Sequence, residues 1–268
     1  MILISMKISL SKFGGFSQYF RGTTYEVMAM DDIFAVGDIH GEIAAFEELL
    51  THWNPERERL VSVGDLIDRG TDPGAVIRKA MFLEAKYDAI FLRGNHENML
   101  LDWLANPSEK MMYYISQGGM ETIESLLTHK KNAKITPEEL ARCVEAEAAA
   151  ELAFVRKRPY YLEWKQFVFV HAGVDLTLQD WKQTSEHDMV WIREPFQQGT
   201  NRTGKTFVVG HTPTESLNPD GGADVWYSPD RSIIDIDGGA VFGGALHGVI
   251  FSQNGVEKIY SIPNKKEV

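Results

Sequence analysis

The sequence predicts an α/β fold in which two mixed β-sheets pack together as a central β-sandwich flanked by helices. Three observations predict it. Short β-branched or aromatic runs recur, and most end in a polar block rich in Gly, Asp, His or Asn. Early in the chain these runs alternate with helical patterns, and later they follow one another directly. Between the two regimes, from about residue 98 to residue 158, strand signals vanish and Leu, Met, Ala and Glu dominate. Alternating and then consecutive strands favour two packed sheets with helices outside.

The elements follow in order. Ile33-Phe34-Ala35-Val36 reads as a buried strand leading into Gly37-Asp38-Ile39-His40-Gly41. Ile43, Phe46, Leu49 and Leu50 then fall on one helical face. Leu60-Val61-Ser62-Val63 is the second strand, before Gly64-Asp65-Leu66-Ile67-Asp68-Arg69-Gly70. Pro73-Gly74 opens a helix whose apolar side is Val76, Ile77 and Ala80. Ala89-Ile90-Phe91-Leu92 is the third strand, and Gly94-Asn95-His96-Glu97 follows. Within the helical stretch, Thr136-Pro137-Glu138-Glu139 has an N-cap, a first-turn proline and a capping-box glutamate. Phe167-Val168-Phe169-Val170 precedes His171-Ala172-Gly173, and Phe207-Val208-Val209 precedes Gly210-His211-Thr212. Strands over 232–236, 248–252 and 256–262 close the chain, and Pro219-Asp220-Gly221-Gly222 marks a loop. We expect one domain over residues 30–268, with a helical insert or lid at about 98–158. Residues 1–29 read as an N-terminal extension without an assigned role.

Composition narrows the function. The chain has 268 residues, 44% hydrophobic and 24% charged, which is ordinary for a globular protein. A formal net charge of -11 argues against a general nucleic-acid binder, because a phosphate backbone needs Lys and Arg. It leaves a phosphate ester open as substrate, since bound metal ions reverse the sign of a local site. Cys143 is the only cysteine, so neither an internal disulfide nor a Cys-based zinc site is available. That agrees with a reducing, cytoplasmic setting, as does the lack of a secretory signal or a bilayer-length apolar run. We therefore expect no membrane partner, and the sequence leaves the oligomeric state open.

The polar blocks sit where strands end, which is where α/β sheets place their ligand crevices. Asp38, His40, Asp65, Asn95, His171 and His211 are hard or borderline N and O donors. Such a set suits Mn, Fe, Zn or Mg and not a thiolate metal. Two cations about 3.5–4 Å apart activate a water and clamp a phosphoryl group.

These blocks, in this order, closely resemble those of the phosphoprotein phosphatase family of calcineurin-like metallophosphoesterases. The resemblance runs from about Ile33 to His247. Ser116-Gln117-Gly118-Gly119 and Ile236-Asp237-Gly238-Gly239-Ala240 are similar to the bacterial and phage lambda-type branch. The resemblance implies two divalent metal ions, with manganese foremost and iron, zinc or magnesium compatible. Asp38 and His40 would bind the first, Asp65 would bridge, and Asn95, His171 and His211 would bind the second. His96 would be the general acid, with Asp68 holding its other ring nitrogen. Arg69, Arg93 and Arg193 would hold the phosphate. It further implies direct attack of water bound to both metals, with no covalent phosphoenzyme.

Other residues take plainer readings. Asp237, beside two glycines, shapes a turn or supports a ligand histidine and is not counted as a ligand. Tyr113-Tyr114 read as helix packing, with lining of the substrate mouth as the alternative, and Met111-Met112 as core filler. His52, His129, His187 and His247 have no partner pattern and default to surface or packing roles.

The leading functional expectation is a metal-dependent phosphatase of phosphomonoesters, with phosphoserine or phosphothreonine in proteins as substrate. The alternative is a diadenosine tetraphosphate (dinucleoside polyphosphate) hydrolase. The intact Asp68-Arg69 pair favours the former, because symmetrical hydrolases of that branch often lack the Asp. A non-catalytic binding scaffold is a remote third reading, and every ligand and the general acid are present against it. The acidic charge and the lack of a basic, aromatic-rich groove argue against a nuclease.

Overall fold

The computed structural model describes residues 32–128 and 135–264. The expected extension over 1–29 and His129 lie outside the described residues. Among the described residues, two five-stranded mixed sheets face each other.

The first sheet contains β1 (Asp32–Val36), β2 (Glu58–Ser62), β3 (Ile90–Phe91), β9 (Ala245–Ser252) and β10 (Gly255–Pro263). Its order is β10-β9-β1-β2-β3. β1, β2 and β3 are parallel, whereas β9 runs antiparallel to β1, with Ile33 opposite Phe251. The second sheet has β4 (Tyr161–Trp164), β5 (Phe167–Val170), β6 (Thr206–Val209), β7 (Trp226–Tyr227) and β8 (Ile233–Asp235). Its order is β4-β5-β6-β8-β7, with β5, β6 and β8 parallel.

Strand alternation decides which core each side chain joins. Ile33 and Ala35 point into the space between the sheets, where Val61, Val63, Phe169, Val208, Ile234 and Phe251 meet them. Phe34 and Val36 point the other way, onto α1 (Ile43–Leu50) and α2 (Pro73–Tyr87), and pack with Phe46, Leu49, Val76 and Ile77. On the outer face of the second sheet, Val168, Val170, Phe207 and Val209 lie under Trp181, Met189 and Phe196. Strands buried on both faces read as continuous apolar runs.

Among the described residues, five helices lie between residues 95 and 156: α3 (Asn95–Ala105), α4 (Pro107–Ser116), α5 (Gly119–Leu126), α6 (Pro137–Glu147) and α7 (Ala149–Arg156). Thr136 caps α6, its hydroxyl accepting from Glu139 N–H at 3.2 Å while Glu139 accepts from Thr136 N–H at 2.9 Å. Met99, Leu100, Trp103, Ile123 and Leu152 from these helices join the core outside the first sheet. Two short helices, α8 (Glu186–Trp191) and α9 (Glu194–Gln197), cover the second sheet.

Two strands escaped the sequence reading, β4 and β7. Both are edge strands with half-exposed side chains, so neither carries a buried apolar run.

Candidate metal centre

The parallel strands of each sheet deliver their polar blocks to one side, and the two sets meet there. Asn95 Oδ1, beyond the first sheet, lies 2.9 Å from both His171 Nε2 and His211 Nδ1, which come from the second. Asp65 is central. Its Oδ2 stands 3.5 Å from His40 Nε2 and its Oδ1 stands 3.4 Å from His171 Nε2. Two sets of donors therefore gather within 4.8 Å, His40 with Asp65 and His96, and Asp65 with His171 and His211. Asp65 belongs to both. Asp38 belongs to neither set; its Oδ2 accepts from His211 N–H at 3.1 Å.

Backbone contacts set the tautomers of two imidazoles. His40 Nδ1 lies 2.8 Å from Ile67 O and His171 Nδ1 lies 3.1 Å from Val63 O. Each Nδ1 must donate to its carbonyl, which leaves Nε2 as a lone pair facing Asp65. Holding these groups takes an unusual backbone. Among the described residues, His40, Asp65, Asp68, Arg69 and His211 are five of the eight non-glycine positions with positive φ. Such conformations cost about 1–3 kcal/mol each and cluster at functional sites. Gly94 is required by close approach, because a Cβ there would lie 2.0 Å from Asp65 Oδ1.

Glu97 clamps the two loops together. Its carboxylate accepts from Gly94 N–H at 2.7 Å, Asp65 N–H at 3.1 Å and Leu66 N–H at 2.8 Å. Burial nonetheless raises its pKa. The sequence reading quoted Glu97 without giving it a role.

His96 Nδ1 is 2.6 Å from Asp68 Oδ2, and both side chains are shut off from solvent. Burial lowers His96 to about 3, and burial raises Asp68 well above its ordinary value. A cavity of about 140 Å³ opens over the cluster, lined in part by Asp65, Asn95, His96, Arg69, Arg193 and Phe242. Arg69 Nη1 lies 2.8 Å from His40 Nε2, and its guanidinium sits 5.2 Å from the Phe242 ring centroid. Arg193 Nη1 donates to Thr212 Oγ1 at 2.8 Å and to His211 O at 3.1 Å.

Arg93 is not brought into this group. Its Nη2 donates to Val155 O at 3.2 Å and Arg156 O at 2.6 Å, the last carbonyls of α7. The guanidinium also lies 5.2 Å from the Tyr160 ring centroid. Its Nη1 reaches only Asn98 Oδ1 at 3.4 Å and Tyr160 OH at 3.5 Å, and its Nε is buried without a partner, so part of the fork expected to hold phosphate is uncommitted.

Asp237 shapes its turn as expected, accepting from Gly239 N–H at 2.9 Å, and it also borders the cavity. Burial raises the pKa of Asp38, Asp65, Asp235 and Asp237, and it lowers those of His40, His171 and His211. Arg69 and Arg193 offset only part of the charge of these crowded, buried carboxylates, which face neutral imidazoles. Divalent cations would supply the remaining countercharge, and a mixed N and O donor set suits them.

The calcineurin-like phosphoesterase profile matches residues 32–247. The chain belongs to the calcineurin-like phosphoesterases. Among its relatives is serine/threonine-protein phosphatase 1 of Salmonella typhimurium, 31% identical over 223 residues, covering 80% of this chain and 89% of that protein. Another is the asymmetrical bis(5'-nucleosyl)-tetraphosphatase PrpE of Halalkalibacterium halodurans, 26% identical over 264 residues, covering 86% and 93%. A crystal structure described as that of a candidate diadenosine tetraphosphatase superposes with a TM-score of 0.63 at 21% identity, over 90% of this chain and 96% of that one. That likeness concerns the fold. Membership makes the chain a metal-dependent phosphoester hydrolase of the metallophosphoesterase type, with serine/threonine phosphatases among its homologues. Among the described residues, no helix is long and apolar enough to cross a membrane.

Proposed function

We propose that this phosphoesterase hydrolyses phosphoserine and phosphothreonine in proteins. The observation that carries the reading is the buried His96–Asp68 pair, 2.6 Å apart, beside the cavity and next to Arg69. An alkyl phosphate leaves as a basic alkoxide and gains from a positioned proton donor.

Asp38 and His40 would hold one divalent ion, Asn95, His171 and His211 the other, with Asp65 between them. Manganese is the metal we favour. The chemistry such ions would supply when bound is charge stabilisation of the phosphoryl group and a lowered pKa for water. The chain's own residues do the rest. Arg69 and Arg193, both bordering the cavity, would bind phosphate oxygens through paired N–H groups. Arg93 is proposed as a third phosphate-binding group, anchored through Nη2 at the end of α7. The entering phosphate brings negative charge that favours the imidazolium of His96. With Nδ1–H held by Asp68, Nε2–H is the proton given to the leaving oxygen. Residues 30–268 would form one catalytic domain with the helices of 98–158 as an insert, and the cytoplasm is the proposed setting.

A second reading, hydrolysis of dinucleoside tetraphosphates, is supported by the relative of that activity and by Phe242. This half-exposed aromatic borders the cavity, where a base could stack. The test is kcat/KM of the Mn-loaded protein on phosphoserine, phosphothreonine and phosphotyrosine peptides and on diadenosine tetraphosphate. A preference for the dinucleotide over every peptide would replace the first reading with the second.

A further inference from the structure

Helices α4 and α5 carry two buried hydroxyls that no step above uses. Tyr114, on α4, is closed off from solvent, and its hydroxyl donates to Asp68 Oδ1 at 2.8 Å. Thr122, on α5, is equally buried. Its hydroxyl donates to the same oxygen at 2.5 Å, and its Oγ1 accepts from Asp68 N–H at 2.9 Å. The carboxylate is thus divided: Oδ2 faces His96 Nδ1, and Oδ1 belongs to the two hydroxyls.

We infer that Tyr114 and Thr122 are positioning residues for proton donation by His96, acting through Asp68. This rests on the acid role proposed for His96. Asp68 can fix the imidazole only as an anion held in one rotamer. Complete burial works against the anion, and hydrogen bonds from hydroxyl donors favour it. Without them the carboxyl would take up a proton or rotate, and Nδ1 would lose its fixed acceptor.

The backbone is held from the same helices. Asp68 and Arg69 adopt φ of 71° and 69°, a consecutive left-handed pair without glycine. Arg69 N–H donates to Gly118 O at 3.0 Å, and a Cβ on Gly118 would lie 2.6 Å from Arg69 Cγ. Such strain persists only where surrounding contacts over-determine it. The turn between α4 and α5 therefore sets the main chain of Asp68-Arg69 while Tyr114 and Thr122 set the carboxylate.

Simple packing is the competing account, since Tyr114 stacks on Trp103 with ring centroids 5.7 Å apart. Tyr114→Phe separates the two, because it keeps the ring and removes the hydroxyl. The experiment measures kcat and KM of the Mn-loaded full chain on a phosphoserine peptide and on p-nitrophenyl phosphate. The variants are Tyr114→Phe, Thr122→Val, Thr122→Ser and His96→Asn, with melting temperature as a folding check. Positioning predicts a loss in kcat of about tenfold on the peptide for Tyr114→Phe and Thr122→Val, a fraction of the loss of the acid itself. The loss on the aryl ester should be clearly smaller, KM should stay level, and Thr122→Ser should recover activity relative to Thr122→Val. Equal losses on both substrates, or none on either, would overturn it. Should Thr122→Val fail to fold, Tyr114→Phe decides alone. If His96→Asn shows the leaving-group dependence and Tyr114→Phe does not, positioning falls and the acid role stands. If His96→Asn itself lacks that dependence, both fall together.

Discussion

Asp65 Oδ1 and His171 Nε2 lie 3.4 Å apart, although one follows a strand of the first sheet and the other a strand of the second. Asp65 is the residue common to both donor sets. Asp65→Asn is therefore expected to weaken both metal sites together and to disable the enzyme more than loss of any other single donor. Metal analysis beside kcat checks this. Two retained ions with near-normal kcat would contradict the bridging assignment.

Stripping the metal should abolish hydrolysis of a generic aryl phosphate, and added Mn should restore it. The same treatment should lower the melting temperature, because a ligand present at a hundred times its Kd stabilises by about 2.7 kcal/mol. Full activity in protein shown to be metal-free would sink the two-ion reading.

Replacing His96 should cost according to the leaving group. General acids contribute about 10²–10⁴-fold, so His96→Asn should lose on that order with phosphoserine peptide and clearly less with p-nitrophenyl phosphate. Asp68→Asn should follow the same pattern more weakly, with metal content unchanged in both. Equal losses on the two substrates would withdraw the acid role.

His247 offers a test by pH. It is buried, with Nε2 2.6 Å from Ala223 O and Nδ1 2.9 Å from Ser261 Oγ. Burial lowers its pKa below the ordinary value of 6.5. Below that value the unfolded chain binds a proton that the folded one refuses, so stability present above pH 6.5 is lost as pH falls. The slope from one such group approaches about 1.4 kcal/mol per pH unit. Urea unfolding of the Mn-loaded protein from pH 7.5 to 5.5 should show a shallower decline for His247→Gln, and parallel curves would refute the contribution.

Much of this was legible in the sequence where chemistry and local pattern coincide. The inner strands announce themselves as apolar runs because both of their faces are covered. The donors announce themselves because Gly-flanked Asp, His and Asn stand at the ends of those runs. Tyr114 and Thr122 gave no such signal. They act on Asp68 across 46 and 54 positions of sequence, and on their own helices they look like ordinary packing residues.

The pairing of β1 with β9 also bears on how the enzyme comes into being at the ribosome. β1, which carries the chain toward Asp38 and His40, lies between β2 and β9 and matches Ile33 with Phe251. Every candidate donor has been synthesised once His211 is added, but the strand that completes the sheet beside β1 arrives only with residues 245–252. Pairings so distant in sequence form late and slowly. A nascent chain halted before Ala245 would hold the whole set of donors while β1 still lacked its partner strand on that side.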